Sequence, residues 1–184
     1  MHTMKNTFLL FILAVTVIGC NTRETSESGD NIGSEATAQA IPAAMDTTPR
    51  VTGIGGIFFR SKNPQEIKSW YSENLGLATD DFGSPFEFRN ANRPEEVNYL
   101  NWDAFPDSAN TFAPSSREFM INYRVQNIEG LIEKLRENDV VIVDELATYE
   151  YGKFIHIMDP EGNKIELWEP VDSVLSKMGR VTNK

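Results

Sequence analysis

Two stretches of this chain carry the same order of elements, and that recurrence constrains the fold more than any other feature. Val51 to Arg60 reads as a strand, after which Asn63 and Pro64 supply a helix N-cap and a first-turn proline. Ile67, Trp70, Tyr71 and Leu75 follow at helical spacing and stop at Gly76, a C-cap signal. Strand-like pieces come next at Phe86 to Arg89 and Val97 to Trp102, with room for one more near Leu77. The order then repeats. Glu118 to Val125 reads as a strand, Asn127 caps a helix carrying Ile128, Leu131, Ile132 and Leu135, and Val140 to Val143 is apolar and β-branched. Lys153 to Met158 and Lys164 to Trp168 are strands joined by the turn Asp159 to Asn163. The two cap residues lie 64 positions apart. A duplicated β-α-β-β-β unit is the economical explanation, and chance recurrence of a common pattern is the alternative. The expected class is α+β.

Ahead of this region the chain carries an address. Lys5 precedes an apolar run from Phe8 to Ile18 that ends in Val17-Ile-Gly-Cys20, and translation starting at Met4 would give the same arrangement. A run of this length is too short for a hydrocarbon core that needs about 20 helical residues, so a signal peptide over residues 1–19 is the better reading. Its last four residues resemble the lipobox of bacterial lipoproteins, which implies lipid on the sulfur of Cys20. Cys20 is the one cysteine of 184 residues, so no internal disulfide competes for it. An ordinary secretory signal with an incidental thiol is the alternative. Residues 20–50 then form the lipidated cysteine and a Ser-, Thr-, Ala- and acid-rich linker with too little apolar surface to order itself. The expected location is the cell envelope, with the protein anchored to a bacterial membrane and facing the periplasm or exterior.

Residues 51–170 are of a size that builds one core, and residues 171–184 are left as a C-terminal tail without an assigned role. The formal charge of −10 disfavours nucleic acid and anionic lipid as partners. Gly53-Ile-Gly-Gly56 lacks the later glycine and the acidic residue of a dinucleotide fingerprint, and no serine sits in a nucleophile-elbow motif.

Three stretches carry a family resemblance: Gly53-Ile-Gly-Gly-Ile-Phe-Phe-Arg-Ser-Lys-Asn-Pro64, Trp70-Tyr-Ser-Glu-Asn-Leu-Gly-Leu77, and Tyr151-Gly-Lys-Phe-Ile-His-Ile-Met-Asp-Pro-Glu-Gly-Asn-Lys-Ile-Glu-Leu-Trp-Glu-Pro170. They resemble the vicinal oxygen chelate, or glyoxalase/bleomycin-resistance/dioxygenase, superfamily. The resemblance implies paired βαβββ modules forming a curved mixed sheet, a cup on one face and helices on the outer face. It also implies metal-ligand positions on the first and last strand of each module. Here those positions fall on Gly56, Asn101, Met120 and Glu166, of which only Glu166 is a usual ligand type. One carboxylate falls short of the roughly three protein ligands a catalytic metal needs. No cofactor is therefore expected, with a divalent metal as the alternative.

Strand alternation places Lys164, Glu166 and Trp168 on the cup face, together with Met120, Asn122 and Arg124. His156, with Phe154 and Met158, shares one face of its own strand, where it and Glu166 are candidate acid/base residues. Phe58, Tyr99, Asn101, Met120, Asn122, Arg124 and Trp168 are candidate ligand-binding residues, in keeping with mostly apolar pockets bearing a few placed polar groups. Taken singly, each aromatic residue and methionine is equally explained as core, and His156 as a residue hydrogen-bonded within the sheet. The expected partner is a small organic molecule, and a homodimer is compatible with the fold. Three functions remain open: ligand binding without a full metal site, catalysis as a metal-assisted lyase, isomerase or dioxygenase or by Glu166 and His156, and a scaffold subunit of an envelope complex.

Overall fold

The computed structural model describes residues 46–184. The expected signal peptide, Cys20 and the linker up to residue 45 lie outside the described residues. Module one comprises β1 (Arg50–Ser61), α1 (Pro64–Leu75), β2 (Ser84–Arg89) and β3 (Val97–Pro106). A short 3-10 turn, Asn110–Phe112, leads to module two. That module has β4 (Phe119–Gln126), α2 (Ile128–Glu137), β5 (Ala147–Tyr149), β6 (Gly152–Met158) and β7 (Lys164–Pro170). The tail adds α3 (Asp172–Lys177).

Local chemistry accounts for the helix ends. The Asn63 side chain accepts from the Glu66 N–H and donates to the Glu66 carboxylate, a reciprocal cap, and Gly76 closes α1 in the left-handed conformation at φ 71°. Asn127 caps α2 by accepting from the Gly130 N–H.

The seven strands form one mixed sheet in the order β2-β3-β1-β4-β7-β6-β5. β1 and β4 run antiparallel at the centre, and each module's last strand lies parallel to its first, β3 beside β1 and β7 beside β4. This is the expected α+β architecture. Alternation divides each strand of module two as anticipated. Tyr123, Val125, Ile155, Ile157, Ile165 and Leu167 pack under Ile128, Leu131 and Ile132 of α2, leaving Asn122, Arg124, His156, Glu166 and Trp168 for the opposite face. Helix α1 covers module one less completely. Tyr71 packs on Trp102, and Lys68 reaches inward to pair with Asp103 at 2.7 Å, while Trp70 and Leu75 stay exposed.

The modules differ at their outer edges. The strand expected near Leu77 is absent, and residues 77–83 contribute only a bridge between Asp80 and Gly83. The free edge of β2 is instead taken by the C-terminus: the Asn183 N–H donates to the Pro85 carbonyl and the Glu87 N–H to the Asn183 carbonyl. The tail thus runs from β7 back to β2. Val140 to Val143 also fails to form a full strand, giving one bridge from Ile142 to Ile157 before the chain resumes pairing as β5.

Glycines in β1 shape the cup floor. The β1–β4 register slips between Ile54 and Gly56, and a Cβ built on Gly55 would lie 2.2 Å from Asn122 Oδ1 and 2.8 Å from the Trp168 ring. Gly55 therefore makes room for side chains that lie across β1 from β4 and β7. Gly55→Ala should destabilise the domain by about 1–3 kcal/mol through this crowding. Gly53→Ala, whose Cβ meets nothing closer than 3.9 Å, should stay within about 0.5 kcal/mol. Urea unfolding of the two variants checks this, and equal effects would remove the role given to Gly55.

Candidate functional site

Residues opposite one another in the register share a face, and five neighbouring strands, β3, β1, β4, β7 and β6, bring a polar row together on the cup side. Gly56 lies opposite Asn101 and Asn122, Asn122 opposite Glu166, and Glu166 opposite His156. The Asn122 amide donates to Glu166 Oε2 at 2.5 Å, and His156 Nε2 lies 3.1 Å from Glu166 Oε1. Both members of the expected acid/base pair therefore meet.

A residue that the sequence reading missed completes the chain of contacts. Between the Ile142 bridge and β5 the edge strand is interrupted, and the Asp144 carboxylate occupies the gap. It accepts from the His156 backbone N–H at 2.8 Å and contacts His156 Nδ1 at 2.6 Å. One carboxylate thus replaces a ladder carbonyl and fixes the imidazole. The only sequence signal for this was the acidic break Asp144-Glu145 after an apolar, β-branched run. Burial disfavours the charged imidazole, as does the Lys164 charge, but Glu166 and Asp144 outweigh both and hold His156 above its ordinary value. In its charged form the ring donates to both carboxylates. Lys164, buried beneath the Thr111 carbonyl it donates to, is itself pushed down by that burial, against the pull of Asp144 and Glu166.

The other candidates divide into two groups. Asn101 and Asn122 belong to this row, and Arg124 and Trp168 border it. Trp168 stacks on Phe154 at 5.7 Å, and the Arg124 guanidinium lies 5.3 Å over the Trp168 ring. Tyr99 turns toward the tail, its hydroxyl 2.9 Å from Ser176 Oγ. Phe58 and Met120 are not free to line a pocket, because Phe112 of the 3-10 turn buries them in a small aromatic core with Phe105. Met158 sits opposite Lys164 at the far end of β6. In the register, the β4 residue opposite Glu166 is Asn122, two residues beyond Met120, which itself lies opposite Phe58.

Three cup-face residues carry a buried polar atom without a partner among the described residues: Asn101 Oδ1, Asn122 Oδ1, which faces Gly55, and Trp168 Nε1, which faces Gly152. Between the β2–β3 pair and the tail lies a cavity of about 100 Å³, bordered by Tyr99, Asn101, Trp168, Leu175 and Arg180.

The donor set does not fit a divalent metal centre. Gly56 offers no side chain, and Asn101 and Asn122 offer only amide oxygens. Both Glu166 oxygens are engaged and both His156 ring nitrogens face carboxylates. Among the described residues, no group of three or more His, Cys, Asp or Glu side chains is disposed to hold an ion.

No curated protein sequence matches the chain. Among solved structures, a variant methylmalonyl-CoA epimerase from Streptomyces coelicolor, in complex with 2-nitronate-propionyl-CoA, is similar at a TM-score of 0.50 and 11% identity, over 66% of this chain and 99% of that one. A methylmalonyl-CoA epimerase from Mycobacterium tuberculosis is similar at 0.46 and 19%, over 72% and 97%. A Mn(II)-bound glyoxalase from Novosphingobium aromaticivorans is similar at 0.47 and 16%, over 74% and 42%. At these identities the likeness speaks to fold alone. The family profile that matches residues 53–167 covers more than half of the sequence, and the chain accordingly belongs to the Glyoxalase/Bleomycin resistance protein/Dioxygenase superfamily.

Proposed function

We propose that this protein is an envelope lipoprotein, held at a bacterial membrane through Cys20, whose domain binds a small organic molecule in the cup of its sheet without a metal centre. The observation that supports the binding reading is that Asn101, Asn122 and Trp168, on the sheet face that carries the Glu166–His156 pair, each hold a buried polar atom without a partner among the described residues. Such atoms are costly to leave unpaired and are the kind of polar groups that orient a ligand against apolar walls. With a formal charge of −10, the protein is a poor partner for nucleic acid.

The Asp144–His156–Glu166 chain favours a second, catalytic reading. Glu166 lies on the cup face, His156 lies behind it as a proton carrier, and Asp144 orients the ring. That arrangement suits proton transfer to or from a bound molecule without a Lewis acid. Here Glu166 is the group that would touch substrate, and His156 and Asp144 are positioning residues.

Three measurements test these readings. A cup ligand from a metabolite panel, at about 100 times its dissociation constant, should add about 2.7 kcal/mol of stability, and Glu166→Gln and His156→Ala should diminish that gain. Undiminished gains in both variants would place binding away from Glu166 and His156, and no gain from any ligand would favour the scaffold reading.

The raised affinity of His156 for its proton has a defined consequence for stability. Its contribution is fully present below the unfolded value near 6.5 and is lost as pH rises through the higher folded value. Unfolding midpoints followed from about pH 5.5 to 9 should therefore show a decline in the parent that His156→Gln lacks. Identical pH profiles would mean that the imidazole is not clamped as described.

Processing and anchoring are tested in cells. Radiolabelled palmitate should enter the parent protein, and Cys20→Ala should both abolish the label and release the protein from the membrane fraction. A labelled Cys20→Ala protein would overturn the anchor assignment.

A further inference from the structure

The tail that fills the module-one half of the cup does so through a carboxylate. Arg124 is 4% exposed and lies over the faces of Trp168 and Phe88. Its Nη1 donates to the Tyr99 carbonyl at 3.0 Å, and its Nη2 to Asp172 Oδ2 at 2.5 Å. The Asn98 amide donates to the same Asp172 oxygen at 3.1 Å, whereas Asp172 Oδ1 is buried with no partner among the described residues. The site thus supplies donors for one carboxylate oxygen and leaves the other unmet. A guanidinium keeps its charge at any ordinary pH, so this buried cation requires an anion from somewhere.

The element that delivers Asp172 is held differently along its length. Helix α3 has six residues, no side-chain N-cap and no buried residue. Beyond it, Asn183 is fixed by hydrogen bonds to Ala78, Ser84 and Pro85, and Arg180 makes a two-point pair with Asp80. The segment is a strap secured at both ends with a lightly packed middle, a state of low local stability. Beneath it the cavity is only about 100 Å³, whereas small-molecule pockets run to about 300–1,000 Å³.

We propose that Arg124 and Asn98 form a carboxylate-recognition subsite, that Asp172 occupies it as an internal stand-in, and that a ligand carboxylate enters by displacing α3 while Asn183 keeps the strap attached. This deepens the small-molecule reading given above by naming the ligand class, an organic carboxylate with an apolar body for the Tyr99, Leu100 and Trp168 wall of the cavity, which stays in place when α3 moves. The strap makes the open state a minor population, so the apparent affinity of the full protein is reduced by the fraction that is open.

Calorimetric titration of the full domain with benzoate, and with benzamide as the neutral control, tests this. Asp172→Ala and Asp172→Asn should bind benzoate about tenfold more tightly than the parent, benzamide should gain nothing, and adding Arg124→Gln to either variant should abolish the gain. Trypsin should cut after Lys177 faster when benzoate is present. Benzoate affinity unchanged or weakened in both folded Asp172 variants would overturn the proposal. So would unfolding of both variants, since α3 would then be structural. Adding Glu166→Gln to an Asp172 variant separates the two inferences: retained benzoate binding there upholds the subsite even if the Glu166-centred reading fails, and failure of the Asp172 series leaves that reading intact.

Discussion

Close approach across β1 organises the cup. Because Gly55 carries no side chain, Asn122, Arg124 and Trp168 from the two strands beyond can lie close against the first strand. Arg124 reaches the Tyr99 carbonyl on β3, Asn122 bonds Glu166, and Trp168 stacks between Phe154 and the Arg124 guanidinium. A side chain at position 55 would push these groups apart and separate the polar row from its aromatic wall. Backbone glycine here acts on side-chain placement, the role glycine serves wherever another group must come close.

Around this floor the two modules have diverged in complementary ways. Module two keeps a full set of strands, but interrupts the outermost so that Asp144 reaches His156. Module one lacks its outer strand, and the C-terminus supplies the missing edge through Asn183 while laying α3 over the cup on the way. One end of the cup is filled by Phe112 over Phe58 and Met120, the other by α3 over Arg124. Between them remains the row of Asn101, Asn122, Glu166 and His156. Hydrophobic burial thus narrows a broad sheet face to a small polar centre, which is how a widely shared fold can acquire a specific site.

The electrostatics of that centre differ from those of a metal site. A metal would draw carboxylates and imidazoles inward around one point, whereas here a single imidazole lies between two carboxylates and an amide donor saturates the inner one. Every oxygen of these two carboxylates is already engaged by a donor or imidazole of the protein, and that arrangement leaves no set of lone pairs turned toward one common point.

The helices, their caps and the inward face of each strand were legible in the sequence because they rest on local rules: Asn63 and Asn127 bond to their own first turns, and side-chain alternation follows from the strand backbone. The same rules put Glu166, Asn122, Arg124 and Trp168 on one face and His156 on one face of its own strand, and the family motifs identified the architecture that unites them. Partnership lay beyond those rules. Register between β4 and β7 decided that Asn122, not Met120, meets Glu166, and pairing at the sheet edges decided the roles of Asp144 and Asn183. Asp172 reached Arg124 only because the tail crosses 48 residues of sequence separation to lie on the cup. Local periodicity carries no information about which distant segment fills an edge or covers a face, since that choice belongs to the collective packing of the whole sheet.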